Sequence, residues 1–330
     1  MKKKNNELAI TIYIFVTLVT FLLSFAGIAE AQKKQTRVTI AAGYVGSGNY
    51  ILGGAMAKVI SKEIPNVSAM AEATTAGVDN LKLVMTRKSD LGYSLMDSAY
   101  DALKGVGVFK SLGPTELRTV FASTPPYVAY LVTLDGSGIN SIYDLKGKRV
   151  GTGGPGSATE VTTLRILESY GIDRDKDFKK ERIQAMQACD ALKDKKVDAF
   201  FWINPLPTAL IIDLASTPGI KLKFLNNSEK IEMLWNKYGQ VYAKGRISRN
   251  IYPNIDSEAE VIAMPIYTYC HEKMDELLVY NIVKAVDKNK AEFEIHKGIS
   301  VPILPDLKEI ESSPVPYHPG VVKYCKEKNN

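Results

Sequence analysis

Two stretches of this chain place glycine and hydroxyl residues where binding chemistry could be done. Gly43-Tyr44-Val45-Gly46-Ser47-Gly48 and Gly151-Thr152-Gly153-Gly154-Pro155-Gly156-Ser157 each follow a β-branched run and precede a helical pattern. Glycine lets the backbone bend tightly, and the first turn of the next helix presents amide N–H groups that no carbonyl of that helix accepts. Aligned peptide dipoles make such a helix start attractive to a negative group, so each turn could cradle a carboxylate. One turn alone reads as a bend with a serine cap; two matched turns read as two walls of one site. The second turn also satisfies G-x-G-x-x-G, with Asp173 about 20 residues on. The first, Gly46-Ser47-Gly48-Asn49-Tyr50-Ile51, lacks the third glycine, and no hydride-transfer residues are evident. Nicotinamide and flavin binding are therefore set aside, and no cofactor is expected.

Catalysis has little to work with. The chain holds 3 His (His271, His296 and His318), and no two stand at helical metal-ligand spacing. No G-x-S-x-G elbow occurs. Cys189, Cys270 and Cys325 are odd in number and widely spaced, so at most one pair forms and no metal site is implied.

The elements that must position the turns alternate. Arg37 to Ala41 reads as a strand, Tyr50 to Glu63 as a helix ended by Pro65, Val67 to Ala73 as a strand and Gly77 to Arg87 as a helix. Leu91 to Leu95, Val120 to Ala122 and Tyr127 to Leu134 are strand-like, with Pro125-Pro126 between the last two. Arg149 then opens the same device again: strand, glycine-rich turn, and a helix from Ala158 to Tyr170. This alternation predicts an α/β fold with a mostly parallel sheet, built as two similar lobes. Ligands of such sheets sit beyond the carboxyl ends of the strands, where the turns lie.

Composition agrees. At 45% apolar and 24% charged, 330 residues suit two ordinary globular domains. A net charge of +6 without a clustered basic face excludes nucleic acid as a partner. The charged run Asp173 to Arg182 reads as a solvated face, and Asn66-Val67-Ser68 and Asn226-Asn227-Ser228 as chance glycosylation matches. Met1-Lys2-Lys3-Lys4, an uncharged apolar run from Leu8 to Ile28, and Ala29-Glu30-Ala31 together read as a cleavable signal peptide over 1–31. A periplasmic location is expected; the rival is an uncleaved anchor, since the run is long enough to span a bilayer.

Several stretches taken in order resemble the TAXI family of solute receptors for TRAP transporters, a family itself similar to the NMT1/THI5-like group. They are Tyr50-Ile51-Leu52-Gly53-Gly54-Ala55 after the first turn, Thr74 to Leu81, Asp97-Ser98-Ala99-Tyr100, Asp144 to Val150, Gly154 to Glu160, Ala199-Phe200-Phe201-Trp202, and Tyr317-His318-Pro319-Gly320. The resemblance covers essentially all of the chain after the signal. It implies a type II periplasmic binding protein fold, two α/β lobes joined by two hinge strands with the ligand cleft between them. Tyr127–Leu134 and Val261–Cys270 would be the hinges, 37–126 with 262–330 the first lobe, and 127–261 the second.

The implied protein is a monomeric, non-catalytic receptor. It would close on a small organic acid or amino-acid-like ligand and deliver it to TRAP permease subunits, small and large or fused. The alternative is a dehydratase-like enzyme on the same fold, acting on a small carboxylic acid. The resemblance assigns Ser47, Gly48, Asn49 and Tyr50 to the first ligand-facing turn, and Thr74, Thr75 and Gly77 to the next. Asp97 follows the third strand, and Gly156, Ser157, Ala158 and Thr159 supply the second lobe's amides. Trp202 and Asn204 close the set by the carboxyl-end rule. Two departures stand out: Leu95-Met96 replaces the family's usual polar pair before Asp97, and Asn204-Pro205 replaces Gly-Gly. The expected ligand is therefore a carboxylate with an apolar or aromatic body, held by amides at one end and by Tyr, Met or Trp at the other.

Overall fold

A computed structural model describes residues 35–253, 255, 257–294 and 301–329. The expected signal peptide and His296 lie outside the described residues.

The chain opens with β1 (Thr36–Gly43), α1 (Gly48–Glu63), β2 (Val67–Ala73), α2 (Gly77–Met85), β3 (Leu91–Leu95), α3 (Met96–Lys104) and β4 (Leu117–Thr124). After Pro125-Pro126 it enters a second sheet. That part comprises β5 (Tyr127–Leu134), β6 (Arg149–Gly151), α4 (Ala158–Ser169), β7 (Lys179–Glu181), α5 (Ala185–Lys193), β8 (Ala199–Asn204) and α6 (Ala209–Ser216). β9 (Leu222–Phe224), α7 (Ile231–Tyr238), β10 (Ala243–Ile247) and β11 (Ala259–Met264) complete it. The chain returns through Pro265 to β12 (Ile266–His271), α8 (Glu276–Lys288), α9 (Ala291–Glu294), β13 (Val301–Ile303), α10 (Leu307–Ser312) and α11 (Pro319–Asn329).

The first sheet is ordered β13-β4-β12-β3-β1-β2, and the second β10-β11-β5-β8-β6-β7 with β9 beside β5. The stretch Val261–Cys270 is two strands rather than one, and they lie in different sheets on either side of Pro265. Neither sheet is mostly parallel. Only β1 with β2 and β3, and β6 with β7 and β8, pair in parallel. β12 runs antiparallel to both β3 and β4, and β5 antiparallel to β8, β9 and β11. The cause is the double passage between sheets: strands that arrive from the other lobe enter against the direction of the βαβ units.

Strand alternation divides the core. Along β5, Ala129 and Leu131 face one buried cluster while Val128, Tyr130 and Val132 face another; along β8, Phe201 and Ile203 part likewise from Phe200 and Trp202. The larger cluster does not stop at the lobe boundary. It runs from the first sheet through Ala158, Ile166, Leu167 and Tyr242 into one face of the second sheet. The smaller cluster fills the opposite face. Cys189, Cys270 and Cys325 are buried and free. Among the described residues no helix is long and apolar enough to cross a membrane.

Candidate functional site

The turns after β1 and β6 face each other across the seam between the sheets. Ser47, Gly48 and Asn49, Gly77, Ser157, Ala158 and Thr159, and Trp202 and Asn204 all line one cleft there. The amides come from helix starts. Ser47 caps α1, its Oγ accepting from the Tyr50 N–H at 3.2 Å. Ser157 caps α4, its Oγ accepting from the Glu160 N–H at 3.2 Å and donating to the Gly154 carbonyl at 2.7 Å. Both hydroxyls are thus used locally, and the first-turn amides beside them are what the helices offer a ligand. α2 begins at the same cleft with Ala76 as its cap residue, which makes no side-chain capping bond. α5 begins there too, from Gln184.

The lobes touch closely at this point. A Cβ on Gly77 would lie 2.6 Å from the Ala158 Cβ, so only glycine lets α2 and α4 meet as they do. Tyr127 of β5 donates its hydroxyl to Asn49 Oδ1 of α1 at 2.6 Å, a hydrogen bond across the seam. Burial pushes the Tyr44 and Tyr127 phenols above the ordinary tyrosine range, so both remain neutral donors.

Five expected site residues are not brought to the cleft. Tyr50 is half-buried and packs on the apolar core. The Thr74 hydroxyl donates to Asn80 Oδ1 at 2.5 Å, and Thr75 bonds the Asp79 carboxylate, so both serve the start of α2. Gly156 turns with φ of 75° against Asp79. Asp97 has no exposed surface. Its carboxylate accepts from Thr162 at 2.7 Å, Tyr242 at 3.0 Å and the Ser98 amide at 2.6 Å. The Arg165 guanidinium stands 3.5 Å away and also pairs with Asp101. The sequence motif around Asp97 therefore marks the joint between α3 and α4 rather than the cleft wall.

Other cleft residues were missed. Tyr44, Ser94, Tyr127, Gln184 and Phe201 also line the space. The carboxyl-end rule would have found Ser94 at the end of β3, where Leu95, one of the two departures from the family pattern, lines the cleft as well; Tyr44 stands inside the glycine-rich turn. Of the expected Tyr, Met or Trp contacts, the lining has tyrosine and tryptophan but no methionine. None of the lining residues is Asp, Glu, Lys, Arg, His or Cys. Among the described residues no cluster of three or more His, Cys, Asp or Glu could hold a metal ion.

Two lobes, each an α/β sheet, with a cleft at the facing strand ends define a periplasmic-binding-protein fold. A family model for the NMT1-like family matches residues 40–328, and the chain belongs to that family. A solved structure shares the architecture. PhnD1 from Prochlorococcus marinus in complex with methylphosphonate matches at 10% identity with a TM-score of 0.54, over 90% of this chain and 98% of that one. The alkanesulfonate-binding protein SsuA from Xanthomonas axonopodis pv. citri bound to MOPS matches at 16% identity and 0.47, over 84% and 89%.

Proposed function

We propose that this chain is the extracytoplasmic solute-binding receptor of a TRAP-type transporter, of the TAXI kind. It captures a small organic carboxylate by closure of its two lobes and delivers it to a membrane permease. One observation carries the reading: helix starts from both lobes converge on a single cleft whose lining bears no charged side chain. Such a lining suits reversible capture of an anion by amides and hydroxyls. It offers no general base and no charged nucleophile, which supports a receptor over an enzyme. The TRAP assignment draws on the motif resemblance, and export on the basic, apolar and A-x-A sequence of 1–31.

The test joins binding to transport. Purified protein incubated with organic acids should gain thermal stability from at least one, and the acid should be recovered unchanged; product formation would favour the enzyme. Uptake of that acid in cells carrying the receptor should collapse with an ionophore and survive depletion of ATP. Uptake that tracks ATP instead would exclude the TRAP class while leaving the receptor.

A further inference from the structure

Ser94 stands at the end of β3, 1% exposed, and its hydroxyl has no hydrogen-bond partner. A buried unpaired hydroxyl costs stability unless something completes it. Ser123, Thr163, Ser228, Ser257 and Thr268 also carry unpartnered buried hydroxyls, but none of them lines the cleft. The place of Ser94 is specific. A Cβ on Gly77 would lie 3.0 Å from Ser94 Oγ and 3.3 Å from the Ala158 amide nitrogen, so the hydroxyl sits where α2 and α4 begin. Both helices are long enough to have a dipole, at 9 and 12 residues.

The acids nearby are already engaged. Asp79 bonds Thr75 and abuts Gly156, and Asp97 is enclosed by Thr162, Tyr242, Ser98 and Arg165. Neither lines the cleft. An ammonium group entering it would lose its water and meet no carboxylate. The body of the ligand would meet Tyr44, Leu95, Tyr127, Phe201 and Trp202 instead.

We propose that the Ser94 hydroxyl, with the first-turn amides of α2 and α4, grips the oxyanion head of a ligand that carries no ammonium group. The ligand is a carboxylate or sulfonate on an apolar or aromatic body, and free amino acids are excluded. This rests on the receptor reading and narrows it.

Calorimetry on the purified protein with matched solutes tests it: 3-phenylpropanoate against phenylalanine, 4-methylpentanoate against leucine, and hexanesulfonate. At least one acid binds, and it binds more than about tenfold tighter than its amino counterpart, since the unpaired ammonium must be desolvated. The carboxylate and sulfonate arms tell which head is preferred. Ser94→Ala weakens that acid about tenfold, the effect of one hydrogen bond to a charged group, and does not lower the melting temperature of the free protein, whose unpaired hydroxyl it removes. Equal or tighter binding of the amino acids overturns the inference, as does Ser94→Ala with unaltered affinity. Mass spectrometry of solute retained through purification covers acids outside the panel. A retained oxyacid without an ammonium supports the inference, and a neutral or ammonium-bearing solute overturns it alone. Flat titrations with nothing retained remove the receptor reading as well.

Discussion

The imidazole of His318 is 1% exposed, with Nε2 3.1 Å from the Met274 carbonyl and 3.2 Å from that of Glu272. Its Nδ1 accepts from the Gly320 N–H at 3.2 Å, and its carbonyl accepts from the Val321 N–H as α11 begins. These partners select the neutral ring with the proton on Nε2. Burial holds its pKa below the ordinary 6.5. A depressed folded value means the stability it contributes is complete above about 6.5 and is lost as pH falls through the lower folded value. The melting temperature should therefore drop on acidification below that range. His318→Gln, which keeps a donor and an acceptor, should make the drop shallower, and melts from pH 7.5 to 4.5 would show it. An unchanged slope would place the acid sensitivity elsewhere. At this scale residue type was a partial guide. Ser47 and Ser157 stand at the cleft yet serve as helix caps, and Thr74 and Thr75 are consumed by α2. Which backbone a hydroxyl serves depends on a turn geometry that residue types do not encode.

Among the elements, the contact of α3 with α4 decides how the lobes meet. Arg165, with its side chain 8% exposed, lies between Asp97 and Asp101, its guanidinium 4.1 Å above the Tyr238 ring. Burial raises the Asp101 pKa, with Arg165 opposing that rise. Removing the cation while leaving two buried carboxylates is the costly change. Arg165→Met should lose about 3–5 kcal/mol of unfolding free energy in urea titration. Arg165→Lys should recover only part of it, because an ammonium cannot fork to two acids and stack on a ring. A loss under about 1 kcal/mol for the methionine variant would mean the cluster is no stronger than a surface pair. Element type was legible for the long segments. The helix starting after Ser47 and the helix after Ser157 lie where hydrophobic period and caps put them. Strand direction was not legible: β12 and β5 have the same β-branched and aromatic character as parallel strands, and only the route of the chain sets their sense. The seam was invisible for a related reason, since Asp97 and Arg165 are far apart in sequence, and Asp97 reads alone as a cleft residue with nothing to pair it with Arg165.

At the scale of the whole molecule, the second sheet is built from one continuous stretch, β5 to β11, whereas the first needs both ends of the chain. β12 lies between β3 and β4, pairing with each. The second sheet can therefore complete its pairing first in refolding, and pulse-labelled amides of β5 and β8 should gain protection before those of β3 and β12. Simultaneous protection would show that the shared apolar seam, not the strand order, sets the sequence of events. Division into two lobes was foreseeable from the repeated turn-and-helix device, but the shared core from Ala158 to Tyr242 was not, because it is made of residues that each fit a single-lobe core.

The interleaving also bears on synthesis. A chain emerging N-terminus first presents β3 and β4 with their facing edges unpaired until residues past Pro265 arrive. Exposed strand edges of that kind invite pairing with other chains. The segment through β4 must be kept from such encounters until then, so chains truncated before β12 should be far more prone to aggregate than the finished chain.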